Sequence, residues 1–253
     1  MSSHEATILE IINTLTPILC RPGGKKFLKK RIISEMAPHK IYVEPFLGTG
    51  GVFFTKPLAE KNILGDNDRE LMDFYKKIQK TGKLKCNFDG GKSKWNQINK
   101  KKNKTTCDYA FIIKKSFGCA GTNPAPKVTR NTKGTQSYDK QVDKLKKAKL
   151  ITGDFKKTIK QNDSKDTLFY LDPPYHETSC SYPDGSCDVD PYDVKKAVDG
   201  IKGNFILSYN NHPEVRKIFC KDYKCKTVQT RYTANALGYP DKQNRKELLI
   251  KNF

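Results

Sequence analysis

Residues 172–175 read Asp-Pro-Pro-Tyr and close an apolar run, Thr167-Leu168-Phe169-Tyr170-Leu171. These are the groups needed to alkylate an aromatic amine. The exocyclic nitrogen of adenine or cytosine is a poor nucleophile, because its lone pair is delocalised into the ring. The carboxylate of Asp172 and the main-chain carbonyl of Pro173 can accept its two N–H groups. That draws the nitrogen toward tetrahedral geometry and aims the lone pair at an electrophile. Consecutive prolines, Pro173 and Pro174, hold the segment extended and bring no N–H of their own. The ring of Tyr175 can stack on the base, a contact worth roughly 1–3 kcal/mol. A plain strand end fits the same residues, with Asp172 as a cap and Tyr175 packed on the surface.

A second pattern lies upstream. Ile41-Tyr42-Val43 reads as a buried strand, and Glu44-Pro45-Phe46-Leu47-Gly48-Thr49-Gly50-Gly51 as a tight turn leading into a helix. Glycines in such a turn let the backbone approach a ligand closely and adopt positive φ. Asn62-Ile63-Leu64-Gly65-Asp66 then reads as a second strand ending in an acid. Strand, glycine turn, helix, strand and acid describe a Rossmann-type nucleotide site, in which the carboxylate takes the ribose hydroxyls. The six-residue dinucleotide fingerprint is absent, and no G-x-x-x-x-G-K-[ST] phosphate loop occurs. The turn therefore suits a nucleoside without a pyrophosphate.

Together the motifs resemble the amino-methyltransferases that use S-adenosylmethionine, and most closely the Dam-like, alpha-group DNA adenine N6-methyltransferases. Pro22-Gly23-Gly24-Lys25 matches that group's Gly-Gly-Lys element. The order is also that of the alpha group: cofactor turn, long insert, then Asp-Pro-Pro-Tyr. The C-terminal Asn244-Arg245-Lys246-Glu247-Leu248-Leu249-Ile250 resembles the group's final strand. The likeness covers roughly residues 18–75 and 150–253. It implies S-adenosylmethionine as cofactor, duplex DNA as substrate and a cofactor pocket built from Phe46, Gly48, Thr49, Gly50 and Asp66. Glu44 would help hold the methionine end, and Asp154 with Phe155 would meet the cofactor's adenine. Lys25 could face the cofactor or the DNA. Two departures stand out. Arg21 occupies a place where the group often has an aromatic ring. Lys115-Ser116-Phe117-Gly118-Cys119-Ala120-Gly121 replaces the stretch that tends to carry an Asn-Gly pair, so no recognition sequence can be carried over.

The charge is concentrated where a polyanion would bind. The chain of 253 residues has a formal net charge of +21. Residues 73–150 hold 21 Lys and Arg against 5 acidic residues, a net +16 in under a third of the length. Both chemistry-bearing motifs lie outside this segment. A basic target-recognition insert (73–150) between two parts of a cofactor-binding domain (1–72 and 151–253) is the simplest account. A generally lysine-rich surface is the plainer one. Within the insert, Lys92, Lys94, Lys100, Lys101, Lys102, Lys115 and Arg130 are candidate phosphate contacts, with Trp95 as a further candidate nucleic-acid contact. Eight cysteines form no C-x-x-C pair, and no His lies at zinc spacing, so reduced thiols and no metal are expected. No apolar run of 18 residues occurs, so no membrane partner is expected, and with no secretory signal visible the reading is intracellular.

The elements that must position these residues follow from periodicity. Helices are expected over residues 3–19, 27–36, 51–59, 69–79, 106–116, 139–149, 192–201 and 213–219. Strands are expected over 41–43, 63–66, 167–171 and 204–209, a short strand and turn over 151–155, and a C-terminus that is largely strand. The alternation predicts an α/β fold: a Rossmann-like methyltransferase sheet, mostly parallel, with a basic, mainly helical and loop insert. Gly48, Asp66, Asp154 and Asp172 all fall at the strands' carboxyl ends, where such sheets bind ligands. Residues 176–187 would form a loop over the target, or an ordinary connection.

The expected reaction is direct methyl transfer from the sulfonium to adenine N6 in a short duplex sequence, with the base flipped out of the stack. Asp172 would accept a hydrogen bond and not act as a full general base. RNA adenine, cytosine N4 and an inactive DNA-binding relative stay open as alternatives. The sequence does not choose between a monomer and a weak dimer, nor say whether a companion restriction endonuclease exists.

Overall fold

The computed structural model describes residues 15–126, 133–176, 189–231 and 244–253. Apolar runs without polar alternation make strands that must be covered on both faces. Such runs give β1 (Ile41–Glu44) and β2 (Lys61–Asp66). A short pair, β3 (Lys85–Asn87) with β4 (Thr135–Ser137), stands apart. The main sheet continues with β5 (Ala148–Thr152), β6 (Thr167–Leu171), β7 (Asn204–Asn210), β8 (Lys224–Arg231) and β9 (Asn244–Lys251). Its seven strands run in the order β5-β2-β1-β6-β7-β9-β8. All neighbours are parallel except β9, which is antiparallel to both β7 and β8. From β1 the chain moves outward through β2, and from β6 outward through β7, so the order reverses between β1 and β6. Ligands of open α/β sheets bind at that crevice.

Helices α1 (Lys29–Ser34), α2 (Arg69–Thr81), α3 (Lys92–Asn99), α4 (Thr106–Lys115), α5 (Asp139–Leu145), α6 (Phe155–Asn162), α7 (Pro191–Asp199) and α8 (Pro213–Phe219) complete the described fold. Local signals set their ends. Asp68 caps α2 by accepting from the Leu71 amide at 2.9 Å, and Gly82 ends it with φ 72°. Thr105 and Asp108 form a reciprocal capping box at the start of α4. Proline occupies the first turn of α7 and of α8.

Two apolar clusters sandwich the sheet. One packs Phe155, Ile159, Val194, Val198, Val215 and Phe219 from α6, α7 and α8 under Val43, Phe169 and Leu207. The other gathers Tyr42, Leu64, Leu168 and Ile206 with α2 and continues into Phe88, Trp95, Ile98 and Phe111 of the basic segment. That segment therefore shares the core of the sheet. The boundaries expected at residues 73 and 150 fall inside α2 and β5.

Several expectations need correcting. The helix expected over 51–59 is a single turn, with Phe54 N–H donating to Gly50 O at 2.8 Å and Lys56 N–H to Val52 O at 2.9 Å, before Pro57 halts it. The helix expected over 139–149 stops at Leu145, because Ala148, Lys149 and Leu150 pair with β2. Residues 15–19 are not helical, and Pro17 lies among them; the rest of the helix expected over 3–19, residues 3–14, falls outside the described residues. The six cysteines among the described residues are not free thiols: Cys20 bonds Cys119, Cys86 bonds Cys107, and Cys220 bonds Cys225, across separations of 99, 21 and 5 residues. Spacing alone could not reveal pairs that the fold brings together.

Trp95 is also corrected. Expected as a nucleic-acid contact, it is only 3% exposed, and its indole N–H donates to Ile112 O at 3.0 Å. A large ring with a bonded polar edge belongs to the core. Trp95→Ala should cost about 3–5 kcal/mol of stability, as for other large-to-small changes of buried aromatics. Chemical denaturation measures this, and a loss confined to nucleic-acid affinity would contradict the placement.

Candidate active site

The site is built at the carboxyl ends of β1, β2 and β6. Adjacent strands β1 and β6 are in register with Val43 opposite Phe169, which puts Glu44 and Asp172 at one edge. Both chemistry-bearing segments therefore face the same crevice. A third segment closes it. Lys25, 7% exposed, places its Nζ 2.7 Å from Asp172 Oδ1. The same Nζ donates to Gly23 O at 3.0 Å, so the Gly-Gly turn itself holds the ammonium in place.

Asp172 is anchored from a second side by Ser208, fully buried on β7, whose hydroxyl donates to Oδ1 at 2.8 Å. Ser208 also exchanges a hydrogen bond with the Tyr170 hydroxyl at 3.0 Å. Both contacts to Asp172 fall on Oδ1, and among the described residues Oδ2 accepts none. Burial pushes the Asp172 carboxyl up, and the Lys25 ammonium works against that shift. The result is a carboxylate held by two partners on one oxygen, which leaves the other oxygen without a described partner.

Tyr175 follows at the end of the Pro-Pro corner. Its ring stacks with Tyr209 at 5.8 Å between centroids and an interplanar angle of 23°, and its hydroxyl donates to Glu247. Lys25 Nζ lies 4.8 Å from the Tyr175 ring centroid. The same ammonium thus contacts the acid and the ring of one tetrapeptide.

The glycine turn sits beside these groups. Gly48 and Gly50 adopt φ of 49° and 67°. A Cβ at Gly50 would meet the Phe54 ring at 3.0 Å, so that position requires glycine. Asp66, at the end of β2, accepts from the Gly48 amide at 2.8 Å and the Asp68 amide at 3.0 Å. Leu47 N–H donates to Gly65 O at 2.8 Å, fastening the turn to β2. Thr49 is buried, and its carbonyl accepts from the Tyr75 hydroxyl at 3.1 Å. Arg21 pairs with Asp68 and reaches the Tyr109 hydroxyl at 3.2 Å, tying this edge to α4. At the end of β5, the Phe155 ring lies 4.8 Å from that of Phe46. Asp154 is exposed and caps α6, accepting from the Lys156 amide at 2.6 Å.

Glu44 is 2% exposed and accepts from the Tyr42 hydroxyl at 2.7 Å. Burial lifts its carboxyl to about 8, while the Tyr42 bond pulls the other way. Two acids at the ends of adjacent strands, a positive-φ glycine turn and a pair of aromatic rings form a donor set suited to an amino-acid-bearing nucleoside.

The basic segment is less uniform than its composition suggested. Lys92, Lys100 and Lys102 are exposed. Lys101 is exposed but pairs with Asp108 at 3.0 Å. Lys94 donates to Asp89 O at 2.7 Å and lies 5.0 Å from the Phe111 ring centroid. Lys115, expected as a phosphate contact, is 4% exposed, and its Nζ makes no hydrogen bond among the described residues. Desolvation lowers its pKa, which suits a core position better than a phosphate contact. Arg130 and most of the expected target loop, residues 177–187, lie outside the described residues. Two site residues were not foreseen, Ser208 and Glu247. Their roles arise from strand pairing, which no local motif announces.

Residues 22–118 and 121–234 match the family described as D12 class N6 adenine-specific DNA methyltransferase. The chain belongs to that family. As a D12 class enzyme it is a methyltransferase that uses S-adenosylmethionine. Among solved structures it is similar to a protein of Pyrococcus horikoshii assigned as an RNA methyltransferase, at 11% identity and a TM-score of 0.46, covering 99% of this chain and 98% of that one. A precorrin-6y C5,15-methyltransferase from Geobacter metallireducens gives 7% identity and 0.42, covering 88% and 85%. A Streptococcus mutans protein assigned as a methyltransferase, in complex with SAH, gives 11% and 0.39, covering 90% and 98%. No curated protein sequence matches the chain. Among the described residues of this D12 class enzyme, no cluster of three or more His, Cys, Asp or Glu could hold a metal, and no helix is long and apolar enough to cross a membrane.

The Glu44 shift has a testable sign. A folded-state pKa raised from 4.5 to about 8 favours the neutral form, so the stability it contributes is complete below the lower value and lost as pH rises through the upper one. Glu44→Gln cannot ionise. Its thermal midpoint should therefore gain on the wild type as pH is raised from about 6 to about 9. A midpoint difference independent of pH would show that Glu44 titrates normally.

Proposed function

We propose that this D12 class enzyme is a Dam-like, alpha-group methyltransferase that modifies adenine N6 within a short sequence of duplex DNA. S-adenosylmethionine supplies the methyl group on a sulfonium that is already electrophilic, so the work of the chain is alignment and desolvation. Glu44 would hold the methionine ammonium, Asp66 the ribose hydroxyls, and Phe46 with Phe155 the adenine ring. Thr49, Gly48 and Gly50 shape the turn against which the nucleoside lies, and Asp154 would reach its amino group.

The target base would be flipped from the duplex, since a stacked base cannot reach the crevice. Its amino group would donate to Asp172 Oδ2 and to the Pro173 carbonyl. Lys25 and Ser208 on Oδ1 oppose the rise that burial imposes on the acceptor's pKa and limit its rotation. The proton leaves only after the nitrogen has been methylated, so Asp172 need not act as a full base. The exposed lysines Lys92, Lys100, Lys101 and Lys102 would contribute salt-dependent phosphate contacts. The observation that carries the reading is the Asp172 carboxylate, held by Lys25 and Ser208 on one oxygen, at the edge that also bears Glu44 and the glycine turn.

Asp172→Ala should abolish labelled methyl transfer to duplex DNA while leaving DNA affinity nearly unchanged. Transfer is measured with duplex DNA and RNA of the same sequence, and affinity by fluorescence anisotropy. A matching loss of DNA binding would make Asp172 structural, and preferential labelling of RNA by the wild type would make RNA the substrate.

A further inference from the structure

We propose that Glu247 is a positioning residue that fixes the plane of the Tyr175 ring. The proposal rests on the reading of Tyr175 as the surface on which the target base stacks. Glu247 lies on β9, between Lys246 and the buried run Leu248, Leu249 and Ile250. It is itself 2% exposed. A carboxylate buried there is costly unless it is hydrogen-bonded. Its bond from the Tyr175 hydroxyl supplies such a partner.

The strand register explains how a C-terminal acid reaches the catalytic corner. Antiparallel pairing sets Glu247 opposite Asn210, Leu248 opposite Tyr209 and Leu249 opposite Ser208. Three consecutive residues of β7 serve the corner in different ways. Ser208 holds Asp172, Tyr209 stacks with the Tyr175 ring, and the Asn210 side-chain amide donates to His176 O at 2.9 Å. Glu247 completes the set from the neighbouring strand by fixing the far tip of the ring. A tyrosine side chain has two free torsions. With the backbone beyond it held by Asn210, one face packed and its hydroxyl tethered, the ring plane is set before any base arrives. Pre-orientation of this kind converts binding into rate, since small misplacements of a positioned group are expensive.

The test uses the full chain with fluorotyrosine incorporated at position 175. In the free protein the wild type should give one narrow fluorine resonance. Glu247→Ala should shift and broaden it, and Glu247→Gln, which keeps an acceptor oxygen, should restore it. A resonance unchanged in Glu247→Ala overturns the proposal. Kinetics supply a second reading. Glu247→Ala should lower kcat for methyl transfer by about 10–100-fold while shifting KM for DNA much less, with Glu247→Gln within about threefold of the wild type. Tyr175→Phe, which keeps the ring and loses only the tether, should match the alanine variant, and the double variant should be no worse. Additive losses, or full kcat in Tyr175→Phe, overturn the assignment even if Glu247→Ala does not fold. The fluorine signal is read without nucleic acid. A wild type that labels RNA, or nothing, would therefore count against the proposed substrate while the ring measurement still decides the role of Glu247.

Discussion

The ion pair between Lys25 and Asp172 joins parts of the chain that are nearly 150 residues apart, and the rest of the site depends on it. A carboxylate at the end of a buried strand is expensive to keep charged. Here an ammonium held by its own Gly-Gly turn opposes that cost through one oxygen of the acid. The same ammonium sits close to the Tyr175 ring, so acid and ring are fixed relative to each other. Removing either charge would strand the other in a poorly solvated place, which is the costly case for a buried pair.

The fold serves this contact by its strand order. Because the chain turns outward in opposite directions from β1 and β6, the loops after those two strands diverge and leave a crevice between them. The glycine turn lines it from the β1 side and the Pro-Pro corner from the β6 side. Ser208 and Glu247 then support the corner from β7 and β9, the pair in which the sheet becomes antiparallel. The basic segment shares the apolar core above the sheet, and Arg21 links that core to Asp68 beside the glycine turn. A disulfide from the neighbouring Cys20 to Cys119 joins the same N-terminal stretch covalently to the basic segment.

Much of this was legible in the sequence, for physical reasons that differ by element. The strand at 167–171 and the helix at 213–219 are legible with their observed bounds, because an apolar run before Asp-Pro-Pro and a proline at a helix start are strong local signals. The start of α2 was legible for the same reason, in the Asp68 cap. Tertiary pairing was not legible. Ala148 and Lys149 continue a helical pattern but pair with β2, and the cysteines meet across distances that spacing cannot report. Composition also misplaced Trp95 and Lys115, since a basic segment says nothing about which of its members the core takes in. Ser208 and Glu247 are not legible in the sequence because a single polar residue in a strand carries no motif. Their meaning comes from the register of β7 against β6 and β9.

The central claim is that the Gly-Gly-Lys turn and the Asp-Pro-Pro-Tyr corner form one charge-paired crevice. A double-mutant cycle on folding stability tests it most directly, using Lys25→Met, Asp172→Ala and the two together in chemical denaturation. If the pair exists, each single change leaves an uncompensated charge. The double variant should then lose less than the sum of the singles, with a coupling energy on the order of 1 kcal/mol or more. Losses that add within experimental error would mean that the two side chains do not meet, and the crevice would lose its organising contact.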